Sequence, residues 1–388
     1  MGCMIIQRAY KTKLRLTQQQ ERYFHGCAGA SRFVYNWALA DRIDAYKDDG
    51  TSINKFEQKR RFNGLKDELC PWIREYPYVI VERAFDDLDA AYKHFFRRVK
   101  QGGEKTGFPK FKSRHRSTPS FAMGKSGITV EADRIKLPRI GWVRLSERGY
   151  IPCVTYKHVT NGVKLNSATV SKRANNWYVS VQVEYEEDVK PTTGPPIGVD
   201  LGIKTLATVS NGAVYPNARA MQAALRKLAR LQRELSRRGV RNEKGHLIRH
   251  TANSRKTVEK LQRAFQRVVD LRTHAQHNAS AGIVATGAST IVLEDLNIRG
   301  MVTNHRLAGA LSDAGMGELR RQIEYKAGWA GAEVLHADRW YPSSKTCSAC
   351  GCIDSDLSLS DRVYRCRDCG LEIDRDLNAA INLAALGK

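Results

Sequence analysis

The stretch Ile197-Gly-Val-Asp-Leu-Gly-Ile-Lys204 decides how the chain folds. An apolar run carries one carboxylate, Asp200, between Val199 and Leu201-Gly202, where an unpaired buried charge is expensive. Continued to Ser210, the segment reads as two hairpin-paired strands. A second apolar run, Thr290-Ile-Val-Leu-Glu294, reads as a fully buried strand that again ends on an acid. Between them lie two long basic helices, about 218 to 237 and 253 to 285. Their inward positions are Leu225, Leu228, Leu231 and Leu235, then Leu261, Phe265 and Val268. A helix around 316 to 330 and a strand near 333 to 335 complete an α/β pattern.

A third acidic cluster, Asp374-Arg375-Asp376, opens an Ala/Leu-rich helix. Taken singly, each acid has an ordinary reading: Asp374 or Asp376 as a helix cap, the others as partners of an arginine. Taken together, three acids on two strands and a helix start can converge on a pair of divalent ions that activate a water against a phosphodiester. Carboxylates suit Mg²⁺. Periodicity alone does not separate Asp374 from Asp376.

Just upstream, Cys347-Ser-Ala-Cys350 and Cys366-Arg-Asp-Cys369 are separated by 15 residues, and a glycine follows each pair (Gly351, Gly370). This is the spacing of a four-thiolate zinc ribbon. With all four positions filled by sulfur, the one Zn²⁺ it implies is structural rather than catalytic. Cys352 is surplus to that set. Nine cysteines without an export signal argue against a disulfide framework.

Toward the N-terminus, 6 to 16 reads as a basic strand. Thr17 then caps a helix, with Gln20 placed for a capping box. Further helices are expected at about 53 to 69 and 80 to 100, so residues 17 to 101 form a small bundle. From 107 to 187 the period changes to two, as in Trp177-Tyr-Val-Ser-Val-Gln-Val-Glu-Tyr185. That pattern predicts an antiparallel sheet or small barrel, into which the bundle is inserted after the first strand. Pro191-Thr-Thr-Gly-Pro-Pro196 reads as a linker.

The 388 residues carry 64 Lys and Arg against 40 Asp and Glu, a formal charge of +24. Residues 219 to 272 hold 16 basic and 4 acidic residues, and 93 to 116 hold 9 basic and 1 acidic. Single charge runs are ordinarily solvated helix faces. Two concentrated blocks, one interleaved with Phe95, Phe96, Phe108 and Phe111, point to nucleic acid. A hydrophobic content of 42% fits two or three folded domains and excludes disorder. No apolar run reaches the roughly eighteen residues of a membrane span. The N-terminus shows no export or lipidation signal, since Ile6 stands where myristoylation wants Ser or Thr.

Four motifs, in order, resemble the split nuclease and ribbon of the TnpB family, transposon-encoded relatives of the type V CRISPR effectors. They are Gly198-Val-Asp-Leu-Gly-Ile-Lys204, Leu293-Glu-Asp-Leu-Asn297, Ser343-Ser-Lys-Thr-Cys-Ser-Ala-Cys-Gly351 and Asp374-Arg-Asp-Leu-Asn-Ala-Ala380. Ala91-Tyr-Lys-His-Phe-Phe96 and Gly107-Phe-Pro-Lys-Phe-Lys112 extend the likeness over nearly the whole chain.

The resemblance implies a multidomain α/β plus β-barrel protein. A wedge-type barrel would use 1 to 16 and 107 to 190, with a helical recognition bundle inserted at 17 to 106. An RNase H-like (RuvC) nuclease would use 191 to 345 and 373 to 388, around a zinc ribbon at 346 to 372. It also implies Asp200, Glu294 and Asp376 as catalytic ligands of two Mg²⁺ ions, with Asp376 preferred because the family acid stands two residues before the asparagine, here Asn378.

The implied activity is RNA-guided cleavage of double-stranded DNA next to a short transposon-adjacent motif, by a monomeric ribonucleoprotein in the prokaryotic cytosol. The alternatives are a guide-RNA-dependent DNA-binding protein without cleavage and an effector working with a CRISPR array. Expected nucleic-acid contacts are Lys59, Arg60, Arg61 and Tyr76 in the bundle, Lys110 and Lys112 after it, and Arg226, Arg230 and Arg237 on the first long nuclease helix. The segment 239 to 253 is longer and more polar than the compact basic turn the family would place there.

Overall fold

A computed structural model describes residues 3–102, 107–114, 117–155, 162–243, 247–358 and 361–387. The chain divides into two compact units, one over Ile5–Glu187 and one over Asp188–Lys388 together with Met1–Met4.

The first unit opens with strand β1 (Cys3–Arg15), followed by helices α1 (Gln18–Asp49), α2 (Lys55–Leu69) and α3 (Tyr78–Lys100). The expected capping box is present. Thr17 accepts from the Gln20 amide at 3.2 Å, and the Gln20 side chain accepts from the Thr17 amide at 3.0 Å. The far end of α1 stops at Gly50, whose φ of 65° favours glycine. Trp37, Phe62 and Phe85 meet edge to face and hold the three helices together.

Seven strands follow: β2 (Ser120–Gly124), β3 (Thr129–Val130), β4 (Arg134–Leu137), β5 (Gly141–Leu145), β6 (Val154–Thr155), β7 (Val163–Arg173) and β8 (Asn176–Asp188). With β1 they make one eight-stranded sheet in the order β2-β7-β8-β1-β5-β4-β3-β6. The first strand therefore lies inside the sheet, between β8 and β5, and the helices are an insertion between it and β2. Alternation buries one face of β8, with Trp177, Val179, Val181 and Val183 all inside. Phe24 of α1 meets that face, its ring centroid 5.3 Å from Trp177 and 5.4 Å from Phe121.

The second unit is built on strands β9 (Ile197–Leu201), β10 (Thr205–Val209) and β11 (Val214–Pro216), helix α4 (Ala220–Arg238), a hairpin of β12 (Val240–Arg241) and β13 (Leu247–Arg249), and helix α5 (Ala252–Val284). Then come β14 (Thr290–Glu294), α6 (Ile298–Val302), α7 (His305–Ala314), α8 (Met316–Ala330), β15 (Glu333–Ala337), the hairpin strands β16 (Val363–Arg365) and β17 (Glu372–Asp374), and α9 (Arg375–Ala385). The main sheet runs β11-β10-β9-β14-β15. Its first three strands are antiparallel, and β14 and β15 add in parallel.

Three readings of the sequence need correction. Leu225 and Phe265 are exposed, because α4 and α5 touch along a narrower seam centred on Leu228, Leu231 and Ala264. The proline-rich stretch before β9 is not a free linker. The Gly194 amide donates to the Gly287 carbonyl at 3.0 Å, and the Thr192 hydroxyl donates to the Ala288 carbonyl at 2.6 Å. Finally, α6 and α7 were not expected at all, being short and placed before the Gly315 turn.

One glycine controls the seating of the last helix. A Cβ on Gly198 would lie 2.0 Å from the Ala380 carbonyl oxygen and 2.5 Å from the Ala384 amide. Only a residue without a side chain lets α9 lie this close to β9. Gly198→Ala is expected to lower stability by at least about 1–3 kcal/mol, read as a fall in melting temperature. An unchanged melt would mean that α9 is not held against this strand.

Candidate functional site

Strand register places the first two acids. β14 runs parallel to β9 with Val292 opposite Gly198 and Leu293 opposite Val199, so the next step sets Glu294 level with Asp200. Side chains alternate along a strand, hence Gly198 and Asp200 share a face, as do Val292 and Glu294. That face is the one α9 covers, since Val292 packs with Leu383. The N-terminal turn of α9 thus brings Asp376 toward the two strand-end carboxylates.

The cap of α9 separates the two candidate acids of that turn. Asp374 accepts from the backbone amides of Asp376 at 3.0 Å and Leu377 at 3.1 Å, so it is the N-cap. Asp376 lies inside the first turn, with Arg375 Nη2 3.4 Å from its Oδ1. The helix-cap reading therefore holds for Asp374.

Burial and neighbouring charges both act on Asp200. The Asp200 carboxyl is pushed up to about 8, chiefly by burial, then by the negative charges of Glu294 and Asp376; Arg375 opposes the shift. A carboxyl that takes up a proton for want of a cation is the donor chemistry a hard divalent ion would satisfy. Asp200 also keeps an edge open to solvent.

Asp295, next to Glu294, is neutralised separately by Arg320 at 3.2 Å and Arg339 at 3.0 Å. Glu294 instead accepts from the hydroxyl of Ser343. Among the described residues, the only set of three or more Cys, His, Asp or Glu ligand atoms within 4.8 Å of one another is the thiolate cluster; Asp200, Glu294 and Asp376 do not form such a set.

The thiolate cluster comprises Cys347, Cys350, Cys366 and Cys369. The Sγ atoms of Cys347 and Cys369 lie 3.6 Å apart, and those of Cys350 and Cys366 3.5 Å apart. The two knuckles have matching backbones. The Gly351 amide donates to the Cys347 carbonyl at 2.9 Å and the Gly370 amide to the Cys366 carbonyl at 3.1 Å. Both glycines have positive φ, 79° and 70°. Burial works to raise the Cys347 thiol, but the backbone amides of Cys350 and Ala349, with the Cys350 and Cys369 thiols, bring it down to about 7. At Cys350 the lowering by the Cys352 backbone amide is outweighed by the neighbouring thiols of Cys366 and Cys347, which push it up to about 12. Tyr364, fully buried, packs beneath the cluster.

Three residues that the sequence reading missed tie this knuckle to the acids. On α9, Asn378 donates to the Thr346 carbonyl at 2.7 Å and accepts from the Ser348 amide at 3.0 Å. One turn on, Asn382 donates to the carbonyls of Ser343 at 2.8 Å and Thr346 at 2.6 Å. Ser343 in turn donates to Glu294. Two amides spaced four apart on the buried face of an Ala/Leu helix were the available signal, because buried amides need partners.

The expected nucleic-acid residues fare unevenly. On α4, Arg226, Arg230 and Arg237 are exposed at helical spacing, and Arg230, Arg233 and Arg237 line one open cleft. Arg60 and Lys110 are exposed. Lys59 pairs with Glu82 at 3.1 Å, and Arg61 with Glu57 at 2.7 Å. Tyr76 is half-buried against Gly26, where a Cβ would come within 2.3 Å of its hydroxyl. Lys112 is also turned inward, with Nζ 3.8 Å from the centre of the Tyr35 ring, and burial lowers its pKa.

Comparison with known proteins identifies the lineage. The "Probable transposase" model OrfB_IS605 matches residues 179–305, its helix-turn-helix companion matches 4–51, and the "Cas12f1-like, TNB domain" model matches 317–383. A Streptomyces pristinaespiralis protein, provisionally named an RNA-guided DNA endonuclease, is 32% identical over 98% of this chain and 90% of its own length. InsQ of Escherichia coli K12, provisionally given the same description, is 31% identical over 98% of this chain and 92% of its own. A solved CRISPR-Cas_phi3 endonuclease aligns over 99% of the chain with a TM-score of 0.48 and 11% identity. The class is that of IS605-type transposon proteins. The chain belongs to the TnpB family within it.

Two outcomes follow from the site chemistry. The native pKa of Asp200 lies above its unfolded value of about 3.9, so the native state holds an extra proton and loses stability as pH rises from about 4 to about 8. In Mg²⁺-free buffer Asp200→Asn should melt above the wild type at pH 8 by several degrees, with the gap closing near pH 4; a gap independent of pH would count against the shared site. Cys366→Ser should lose bound zinc, measured by elemental analysis, and lower the melting temperature.

Proposed function

We propose that this protein is an RNA-guided endonuclease that cleaves double-stranded DNA next to a short transposon-adjacent motif, using a guide RNA drawn from the transposon end. What supports the reading is the strand register that sets Glu294 level with Asp200, together with the influence of Glu294 and Asp376 on the Asp200 carboxyl. Three antiparallel strands extended by two parallel ones fit an RNase H-like (RuvC) nuclease. In the same reading, the eight-stranded sheet is the wedge-type barrel, the three helices inserted in it are the recognition bundle, and the four cysteines hold a structural zinc. The full-length relatives named as RNA-guided DNA endonucleases support the assignment.

Asp200, Glu294 and Asp376 would hold two Mg²⁺ ions, which when bound activate the attacking water and stabilise the leaving oxygen. The protein's own groups prepare that site. Asp200, whose carboxyl is pushed up to about 8, would serve as a ligand in its deprotonated form. Ser343 fixes the orientation of Glu294, while the Asp374 cap leaves the Asp376 carboxylate free of the helix end. The arginine stripe on α4 suits a phosphate backbone recognised by charge rather than by base, as a guide–target heteroduplex demands.

Asp200→Ala and Glu294→Ala should each retain co-purifying RNA and bind target DNA in a gel shift, yet lose Mg²⁺-dependent plasmid cleavage by at least about 100-fold. Cleavage at the wild-type rate in either variant would overturn the assignment.

A further inference from the structure

Within the Ile5–Glu187 unit, α1, α3 and the segment after α3 enclose a cavity of about 450 Å³. Tyr92, Phe95, Phe96 and Phe108 form its walls. Tyr92 stacks on Phe96 at 6.2 Å, and Phe95 meets Phe108 edge-on at 5.4 Å. The rings are not sealed from water: Phe96 is 54% exposed, Phe108 44%, and Tyr46 at the rim 69%. Behind them the frame is rigid. Arg42 lies 4.8 Å over the Tyr92 ring and is held by Gln58 at 2.8 Å and Asp89 at 3.3 Å.

A second cleft, of about 510 Å³, shares Phe108 with the first and is lined by His94, Arg97 and Arg98. Neither lining contains an acidic residue. An aromatic slot and a cationic slot thus stand on either side of one ring. The two chemistries are those a nucleotide joins, a flat apolar base and an anionic phosphate. Exposed aromatic platforms beside a positive groove bind unpaired bases without regard to sequence. Charge decides against a second copy of the chain, because the block 93 to 116, with 9 basic residues to 1 acidic, would face its own like charge.

We propose that these paired clefts hold one unpaired nucleotide of a single strand, with its base against Phe96 and Phe108 and its phosphate beside Arg97 and Arg98. The inference stands on the rings and charges alone and does not depend on cleavage. Guide RNA and a displaced DNA strand offer the same chemistry, and the experiment separates them.

The test uses full-length protein stripped of RNA, with fluorescein-labelled ten-residue oligo-rU, oligo-dT and an abasic DNA of equal length, at one salt concentration. Phe96→Ala and Tyr46→Ala remove exposed rings and should melt like the wild type. Each should bind the base-bearing strands about tenfold more weakly and the abasic strand equally well. Arg97→Ala should weaken all three. A loss confined to oligo-rU would make the occupant RNA, and one confined to oligo-dT would make it DNA. Equal weakening with and without bases, no weakening at all, or a change only in sedimentation of the free protein would each overturn the proposal.

Discussion

Like charges brought close to a buried carboxyl, with Arg375 offsetting only part of them, are the constraint around which the second unit is organised. Burial and the negative charges of Glu294 and Asp376 act on Asp200, and together they carry a carboxyl into a range where it holds a proton near neutrality. A fold built for stability alone would not place three acids there, because mutual repulsion and desolvation both oppose it. The arrangement persists because the elements carrying the acids are fixed elsewhere. β9 and β14 are locked by parallel pairing, and α9 is pressed onto them over Gly198. The site is electrostatically unfavourable when empty of cation, and that is the source of its capacity to bind one.

The thiolate knuckle belongs to the same construction. Asn378 and Asn382 leave α9 toward the chain that enters the first cysteine pair, and the turn between them includes Ser343, the donor to Glu294. Order in the knuckle and order at the acid therefore pass through five or six hydrogen-bonded residues. A structural metal held by the four thiols would stabilise the backbone that orients a carboxylate.

Much of this was legible beforehand. Period-two alternation marked β8, and the capping box at Thr17 and Gln20 marked the start of α1 within a residue. Two CxxC pairs needed no tertiary information to be read as one cluster, because four sulfurs at that spacing have few other uses. Residues whose role depends on a partner far away in the chain were harder. Leu225 and Phe265 matched the apolar period but fell outside the seam, since periodicity finds a face and not its width. Tyr76 and Lys112 carry the right chemistry for nucleic acid and are both half-buried, one packed against Gly26 and the other over Tyr35.

By itself, the sequence determined the main element types, though not α6, α7 or the β12–β13 hairpin. It also determined the thiolate set and the three candidate acids, because each is written in local spacing or in residue chemistry. It could not say which acid of Asp374-Arg375-Asp376 is consumed by the helix end. That was decided by the cap geometry, in which the Asp374 carboxylate takes the free amides and leaves Asp376 to the site. Nor could it say that Glu294 leans on Ser343, or that Phe96 and Phe108 stay open to water, since both depend on distances that exist only once remote segments have packed.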